Sequence, residues 1–247
     1  MNFASFLNES EKHKQSISLE KAIEIAKKYC SKSLHVELWR GGNFDDDCYL
    51  MDTSSTVRRS ANTSNHYTII LDKFLGEKDL PMRSKSFIMT GESGTSDTFG
   101  ISRRIIPFDD AQIGNTGKED LWYVDLNSKV DMTFEDFSAL YSRLDINDKS
   151  YDQIVKDTLN LLKKLRDTDE DDLDRDMEDF LKLFKDADLD IKSIEIELKN
   201  IFDFDSIGFN FYTGATAPKH TNHECWLSGK CLAVTDEIYD EIVKALK

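Results

Sequence analysis

The periodicity of apolar residues changes twice along the chain, and this feature most constrains the fold. On both sides of residues 133–205, short apolar stretches alternate with polar residues or form compact blocks, as strands do. Inside 133–205, apolar residues recur at the spacing of a helix face. The strands before and after this segment must therefore meet in one core. We predict an α+β fold in which 1–132 and 206–247 form the core and 133–205 is an acidic helical insertion.

Local signals predict the elements of this core. A helix is predicted over 17–30, where Ser18 is a suitable N-cap, and another over 236–246. Residues 34–39 alternate as a strand does and end at a pair of glycines. Further strands are predicted over 84–90, 102–107, 121–126 and 207–212, and a strand or short helix over 66–75. The stretches 224–227 and 231–234 flank a Ser-Gly-Lys turn and predict a hairpin.

The charge of the chain is large and unevenly distributed. The 247 residues include 47 acidic and 32 basic ones, a net charge of −15. Residues 131–205 alone contain 23 acidic and 11 basic side chains. Such an acidic surface repels phosphate backbones, so passive nucleic-acid binding is disfavoured. Only a local basic groove would reverse this, and its candidate members are Arg58, Arg59, Arg83, Arg103 and Arg104.

Other features bear on metals and on compartment. The four cysteines lie in unrelated contexts without metal-ligand spacing, which predicts reduced thiols rather than a disulfide framework. His220, His223 and Glu224 follow a proline and precede a strand, so no helix presents them as zinc ligands, and we predict no metal site. The N-terminal residues lack a signal-peptide core, and no apolar run is long enough for a membrane span. We expect a cytoplasmic chain, in the host cytoplasm if it is viral, without membrane contact.

Arg40 is the first candidate for a binding residue. It has the parity of Leu34, Val36 and Leu38, so an extended strand would place it on their apolar face. A guanidinium there is costly unless an anion pairs with it, and its planar fork suits a phosphate. The alternative is that the strand ends earlier and that Arg40 points into water.

A pair of serines and a late glutamate complete the set of candidates. Ser84 and Ser86 would share one face of the strand 84–90, where two hydroxyls can orient a polar ligand. Glu224 leads into the apolar stretch HECWLSGKCLAV, in a position for function or for a salt bridge. The simpler alternatives are a serine-rich strand edge and a solvated strand end. Glu119 and Asp120, in GKEDLWYV, are rivals of Glu224 because they also lead into a predicted strand.

Taken in order, these segments resemble the ADP-ribosyltransferase superfamily in its Arg-Ser-Glu class. The segments are LWRGG, RSKSFIMTG and HECWLSGKCLAV, and FGISRRIIP is similar to the strand that the family places between its second and third motifs. Together they cover about half of the chain, and each motif is short. The resemblance is to a divergent, viral or bacterial member.

The resemblance implies a compact core of two small β-sheets with NAD bound in a cleft. By position, Arg40 and Gly41 would hold an NAD phosphate or ribose, and Ser84 and Ser86 would line the pocket of the nicotinamide ribose. Phe99, in the loop GESGTSDTFG, would lie beside the cofactor-binding strand. NAD would be a substrate in this family, not a resident cofactor.

The resemblance also implies roles for the glutamate segment. Glu224 would stabilise the oxocarbenium-like ribose as nicotinamide leaves. Asn222 and His223 would lie on the acceptor side. Asn222 stands where the family often has Glu or Gln, so the acceptor is open and arginine modification loses support. Lys85 replaces the family's usual Thr, and the acidic insertion lengthens the gap between the serines and Glu224.

Three functions follow as hypotheses. The first is an NAD-dependent mono-ADP-ribosyltransferase that modifies a host macromolecule, a protein rather than a nucleic acid. The second is a catalytically silent, ADP-ribosyltransferase-like binding or virion-associated protein. The third is an acidic mimic of nucleic acid, whose charge residues 167–179 would supply.

Overall fold

The computed structural model describes residues 13–58, 64–118, 120–221 and 223–247, together with all side chains in these ranges except that of Glu170. Within them the chain forms eight α-helices and nine strands, which confirms the predicted α+β class. The chain divides into two compact units. The first comprises Met1–Ala61, Asp79–Glu119 and Asn210–Lys247, and the second comprises Asn62–Lys78 and Asp120–Phe209. All described strands belong to the first unit, and the predicted insertion lies within the second.

The strands are short and form a single sheet. They are β1 Lys14–Ser16, β2 Leu38–Gly42, β3 Cys48–Asp52, β4 Phe87–Thr90, β5 Ile101–Pro107, β6 Gln112–Asn115, β7 Asn210–Thr213, β8 Glu224–Ser228 and β9 Lys230–Val234. Their order across the sheet is β1-β3-β9-β5-β2-β4-β8-β6-β7, and every neighbouring pair is antiparallel.

The sheet differs from the two small sheets that the resemblance implied. A single residue pair, Trp39 with Thr90, joins β2 to β4. This pair makes the five strands from β1 to β2 and the four strands from β4 to β7 one continuous nine-stranded sheet. By contrast, β2 and β5 pair over five residues, so the joint at Trp39 is the sparsest connection in the sheet.

Two helices of the first unit confirm the sequence prediction. Helix α1, Leu19–Tyr29, begins at Ser18, whose side chain accepts a hydrogen bond from the Lys21 amide, and it buries Ala22, Ile25 and Ala26. The last helix, α8, Asp236–Leu246, is capped in the same way by Thr235. The predicted hairpin is wrong: the strands β8 and β9 exist and only Gly229, with a φ of 120°, separates them, but β8 pairs with β4 and β6 whereas β9 pairs with β3 and β5.

The second unit is helical. Its helices are α2 His66–Glu77, α4 Phe134–Arg143, α5 Tyr151–Arg166, α6 Arg175–Leu183 and α7 Ile191–Ile201; the short α3, Ser93–Ser96, lies in the first unit. A capping box of Thr133 and Asp136 starts α4. The core is rich in aromatic side chains, with Phe134 and Phe137 each in edge-to-face contact with Phe202. Stretch 66–75, ambiguous in the sequence, is thus a helix.

Four predicted strands are wrong in part or entirely, and one of them, predicted over 207–212, starts only at Asn210. The stretch 121–126 holds a 3₁₀ turn, Leu121–Tyr123, which the Asp120 side chain caps at the Trp122 amide. The stretch 84–90 begins with another 3₁₀ turn, Arg83–Lys85, so its strand starts only at Phe87. The strand predicted from residue 34 starts at Leu38, because a turn in which the Val36 amide bonds the Ser33 carbonyl occupies the preceding residues.

The described chain carries no helix with the length and apolarity needed to cross a bilayer. Its four cysteines are separate, buried thiols. Among the described side chains, no cluster of three or more His, Cys, Asp or Glu residues could hold a metal ion.

Candidate functional site

The three segments that carry the resemblance lie on adjacent strands. Strand β2 contains Arg40, strand β4 follows the serine segment, and strand β8 begins at Glu224. In the sheet β4 lies between the other two. The register places Trp39 opposite Thr90 and Thr90 opposite Glu224. Segments that are far apart in the sequence therefore meet in one row of the sheet.

The same register separates Arg40 from Glu224. Residues directly opposite each other in a sheet share a face, and successive residues of one strand alternate between faces. Trp39, Thr90 and Glu224 therefore lie on one face, which we call the Trp39 face, and Arg40 lies on the other. Arg40 and Glu224 therefore do not converge as expected. Arg40 is the residue after Trp39 on β2, so its side chain points to the opposite face from that of Glu224.

Arg40 makes its contacts on the face of the sheet opposite the Trp39 face. Its Nη1 donates to the Ile88 carbonyl oxygen at 2.7 Å, and its guanidinium carbon lies 5.2 Å from the centre of the Phe87 ring. Burial lowers the pKa of Arg40 to about 10. Its Nε is buried without a hydrogen-bond partner among the described residues. Arg40 thus shares the face of buried Leu38, as its parity predicts.

The serines do not form the expected pair of hydroxyls on one strand face. Ser84 lies inside the 3₁₀ turn, where its carbonyl accepts the Arg58 amide at 2.7 Å. Ser86 is buried, and its Oγ donates to the Met82 carbonyl at 2.7 Å. The hydroxyl of Ser86 therefore stabilises the turn before β4 instead of facing a ligand.

Glu224 forms a nearly buried ion pair with Arg83. Nη2 and Nε of Arg83 donate to Oε1 of Glu224 at 2.8 and 3.2 Å. The two side chains are 10% and 11% exposed. In the sequence, Arg83 stands out only as one of several arginines. The signal that could have identified the pair is Glu224 itself, because a glutamate at the start of a buried strand needs a cation nearby.

Gly41 has a structural reason to lack a side chain. A Cβ on Gly41 would lie 2.0 Å from the Ser96 carbonyl oxygen and 2.9 Å from the Cβ of Phe99. Gly41 shares the Trp39 face, so the segment 91–100 packs against the sheet there. Phe99 is 50% exposed beside it. In this arrangement Gly41 contacts its own chain, where the resemblance implied a contact with NAD.

Of the remaining candidates, the structure describes His223 and Asp120. His223 is half-buried, and its Nδ1 has no hydrogen-bond partner among the described residues. Asn222 and the rival Glu119 lie outside the described residues. Asp120 accepts the Trp122 amide at 2.9 Å, so its carboxylate caps a turn.

Comparison with protein-family models, with curated proteins and with solved structures finds no match to this chain.

Proposed function

We propose that the chain is an NAD-dependent mono-ADP-ribosyltransferase that modifies a host macromolecule, with Glu224 as its catalytic carboxylate. The observation that supports this proposal is the adjacency of β2, β4 and β8, which brings the three resembling segments together. The α+β class of the chain agrees with the class that the resemblance implies, although its single nine-stranded sheet differs from the two small sheets of that fold.

The reaction needs a fixed negative charge beside the ribose of NAD. The bond between ribose C1′ and the nicotinamide nitrogen breaks, and its electron pair leaves with nicotinamide. The positive charge that develops on the ribose is stabilised by the Glu224 carboxylate. A nucleophilic atom of the acceptor then bonds to C1′ and gives up its proton to solvent. With water as the acceptor, the product is free ADP-ribose.

Arg83 is a positioning residue in this proposal. Its Nε and Nη2 donate to the same oxygen of Glu224, which orients the carboxylate. Because both side chains are only about one tenth exposed, the pair is shielded from solvent and its geometry is well defined. Arg83 therefore orients the Glu224 carboxylate beside the place where the ribose of NAD would lie.

The test is the release of nicotinamide from NAD by the full chain, measured by chromatography. The wild type should release nicotinamide, and Glu224→Gln should be slower by about a hundredfold or more. Glu241→Gln, which changes an exposed glutamate of α8, is the matched control and should keep the wild-type rate. Equal rates for Glu224→Gln and the wild type, with both chains folded, would refute the role of Glu224.

A second candidate is a catalytically silent protein that uses the same core for binding, as in a virion-associated protein. The Arg83–Glu224 pair and the position of Arg40 on the other face favour it, because the three expected residues do not converge. This candidate predicts that the wild type releases no nicotinamide with any acceptor, including extracts of host cells. Release above the rate of Glu224→Gln would exclude it.

A further inference from the structure

We propose that Arg104, and not Arg40, binds the phosphates of the dinucleotide, in an anion site on the Trp39 face. This inference rests on the proposed function, whose carboxylate Glu224 lies on the same face.

The sheet register is the first argument. Arg104 of β5 is directly opposite Trp39 of β2, so the row across four neighbouring strands reads Arg104, Trp39, Thr90, Glu224. All four side chains share one face. With strands about 4.8 Å apart, the Cα atoms of Arg104 and Glu224 are about 14 Å from each other. An extended dinucleotide can span such a distance along the row.

The two arginines that neighbour this row on β2 and β5 belong to the opposite face. Arg103 is directly opposite Arg40. Its Nη2 donates to the carbonyl oxygens of Phe44 at 3.3 Å and Asp46 at 2.9 Å. Arg103 and Arg40 thus both bind backbone carbonyls on a face that does not carry Glu224.

The guanidinium of Arg104 makes few contacts with acceptor groups of the described chain, so it is able to bind an anion. Its guanidinium carbon lies 3.6 Å from the centre of the Tyr239 ring and 5.5 Å from that of Trp39. Its one ion-pair partner in the described part of the chain is Glu37, at 3.8 Å, which is too long for a hydrogen bond. Its Nε is buried and makes no hydrogen bond to any described residue. The guanidinium is therefore held in place by rings and is not saturated by acceptors.

Two basic side chains and a histidine contact the carboxylate of Glu37. Besides Arg104, the carboxylate meets Lys219 at 3.6 Å and Nδ1 of His220 at 2.7 Å. Two cations thus share one carboxylate, so this group of side chains has an excess of positive charge that favours an anion beside it. A pyrophosphate, with its several acceptor oxygens, matches an arginine fork beside a lysine.

Aromatic surface lies along the same row. Trp39 stands between Arg104 and Thr90 and is half-buried, so part of its ring faces outward. Phe99 is half exposed where the segment 91–100 packs on Gly41, two residues along β2. Planar rings of a dinucleotide stack favourably on such side chains.

The experiment is isothermal titration of the full chain with NAD and, separately, with inorganic pyrophosphate. Arg104→Gln should raise the Kd for NAD at least tenfold, which corresponds to about 1.4 kcal/mol. Arg104→Lys should recover part of the affinity because it restores the charge without the fork. Arg103→Gln, the adjacent arginine on the opposite face, is the matched control and should stay within about twofold of the wild type. Thermal unfolding of each variant establishes that it is folded.

Four outcomes would overturn the inference. Unchanged affinity in Arg104→Gln would do so, as would a larger loss in Arg40→Gln than in Arg104→Gln. If Arg104→Gln does not fold, Lys219→Gln replaces it, and unchanged affinity there counts equally against the site. Pyrophosphate binding that depends on Arg104, without NAD binding, would support the anion site and refute the proposed function. Binding of neither probe would refute both.

Discussion

The Arg83–Glu224 ion pair makes the sharpest prediction about this protein. It joins the turn before β4 to the first residue of β8, and both side chains are about nine-tenths buried. Arg83→Gln removes the cation and leaves the carboxylate in the same low-exposure place. Breaking a buried pair in this way costs about 3–5 kcal/mol, because the remaining charge has lost its partner.

The expected change is large on the scale of ordinary stabilities. For a chain of this size, each kcal/mol corresponds to roughly 2–4 °C in Tm, so Arg83→Gln should lower Tm by about 6–20 °C. Arg83→Met combined with Glu224→Leu removes both charges. This double variant should be more stable than Arg83→Gln alone, since replacing both ions by apolar groups is often nearly neutral.

The assay is urea unfolding followed by tryptophan fluorescence. In a Trp122→Phe background the remaining tryptophans all belong to the first unit, so the fluorescence reports on that unit. One of them, Trp226, is fully buried, and its Nε1 donates to the Pro81 carbonyl. Lys230→Gln is the control, because the pair of Lys230 with Asp52 is half exposed and should contribute no more than about 1 kcal/mol. Equal unfolding free energies for Arg83→Gln and Lys230→Gln would refute the reasoning.

Three other outcomes are expected. Gly41→Ala should cost about 1–3 kcal/mol in thermal unfolding because its Cβ would meet the Ser96 carbonyl, whereas Gly94→Ala has open space; equal Tm values would contradict this packing. Burial lowers the pKa of His66 in the folded chain. The unfolded chain therefore binds the proton first, and the free energy of unfolding should fall as the pH drops below about 6.5. Urea titrations at several pH values should show that His66→Gln loses this dependence. Burial raises the pKa of Cys231 to about 12, and the other cysteines are also buried; a thiol reagent at neutral pH should therefore react with all four only after unfolding.

Much of the local structure was predictable because its signals are local. Ser18 marks the start of α1, and Gly229 of the Ser-Gly-Lys segment marks the break between β8 and β9, although these two strands do not pair with each other. The buried apolar stripe of α5 follows from spacing alone. Each of these features depends on residues only a few positions apart, so the sequence contains all that is needed to identify them.

Apolar blocks without clear periodicity were misread. The stretch 121–126 buries Leu121, Val124 and Leu126, a spacing that fits neither a strand nor a helix, and it forms a 3₁₀ turn. The serine segment was read as one strand, although the Ser86 hydroxyl closes a turn at its start. In both places a side chain bonded to the backbone competes with the regular ladder, and alternation alone does not reveal this.

The sequence by itself determined some of the strands, such as those at 102–107 and 231–234, and the face that Arg40 shares with Leu38. It did not determine how the strands pair. Thr90 meets Glu224 across more than a hundred residues of sequence, and a shift of one residue in that register would move Glu224 to the face of Arg40. Only the tertiary structure decided that Arg83 pairs with Glu224 and that Arg104, rather than Arg40, shares its face, because register depends on the packing of the whole core.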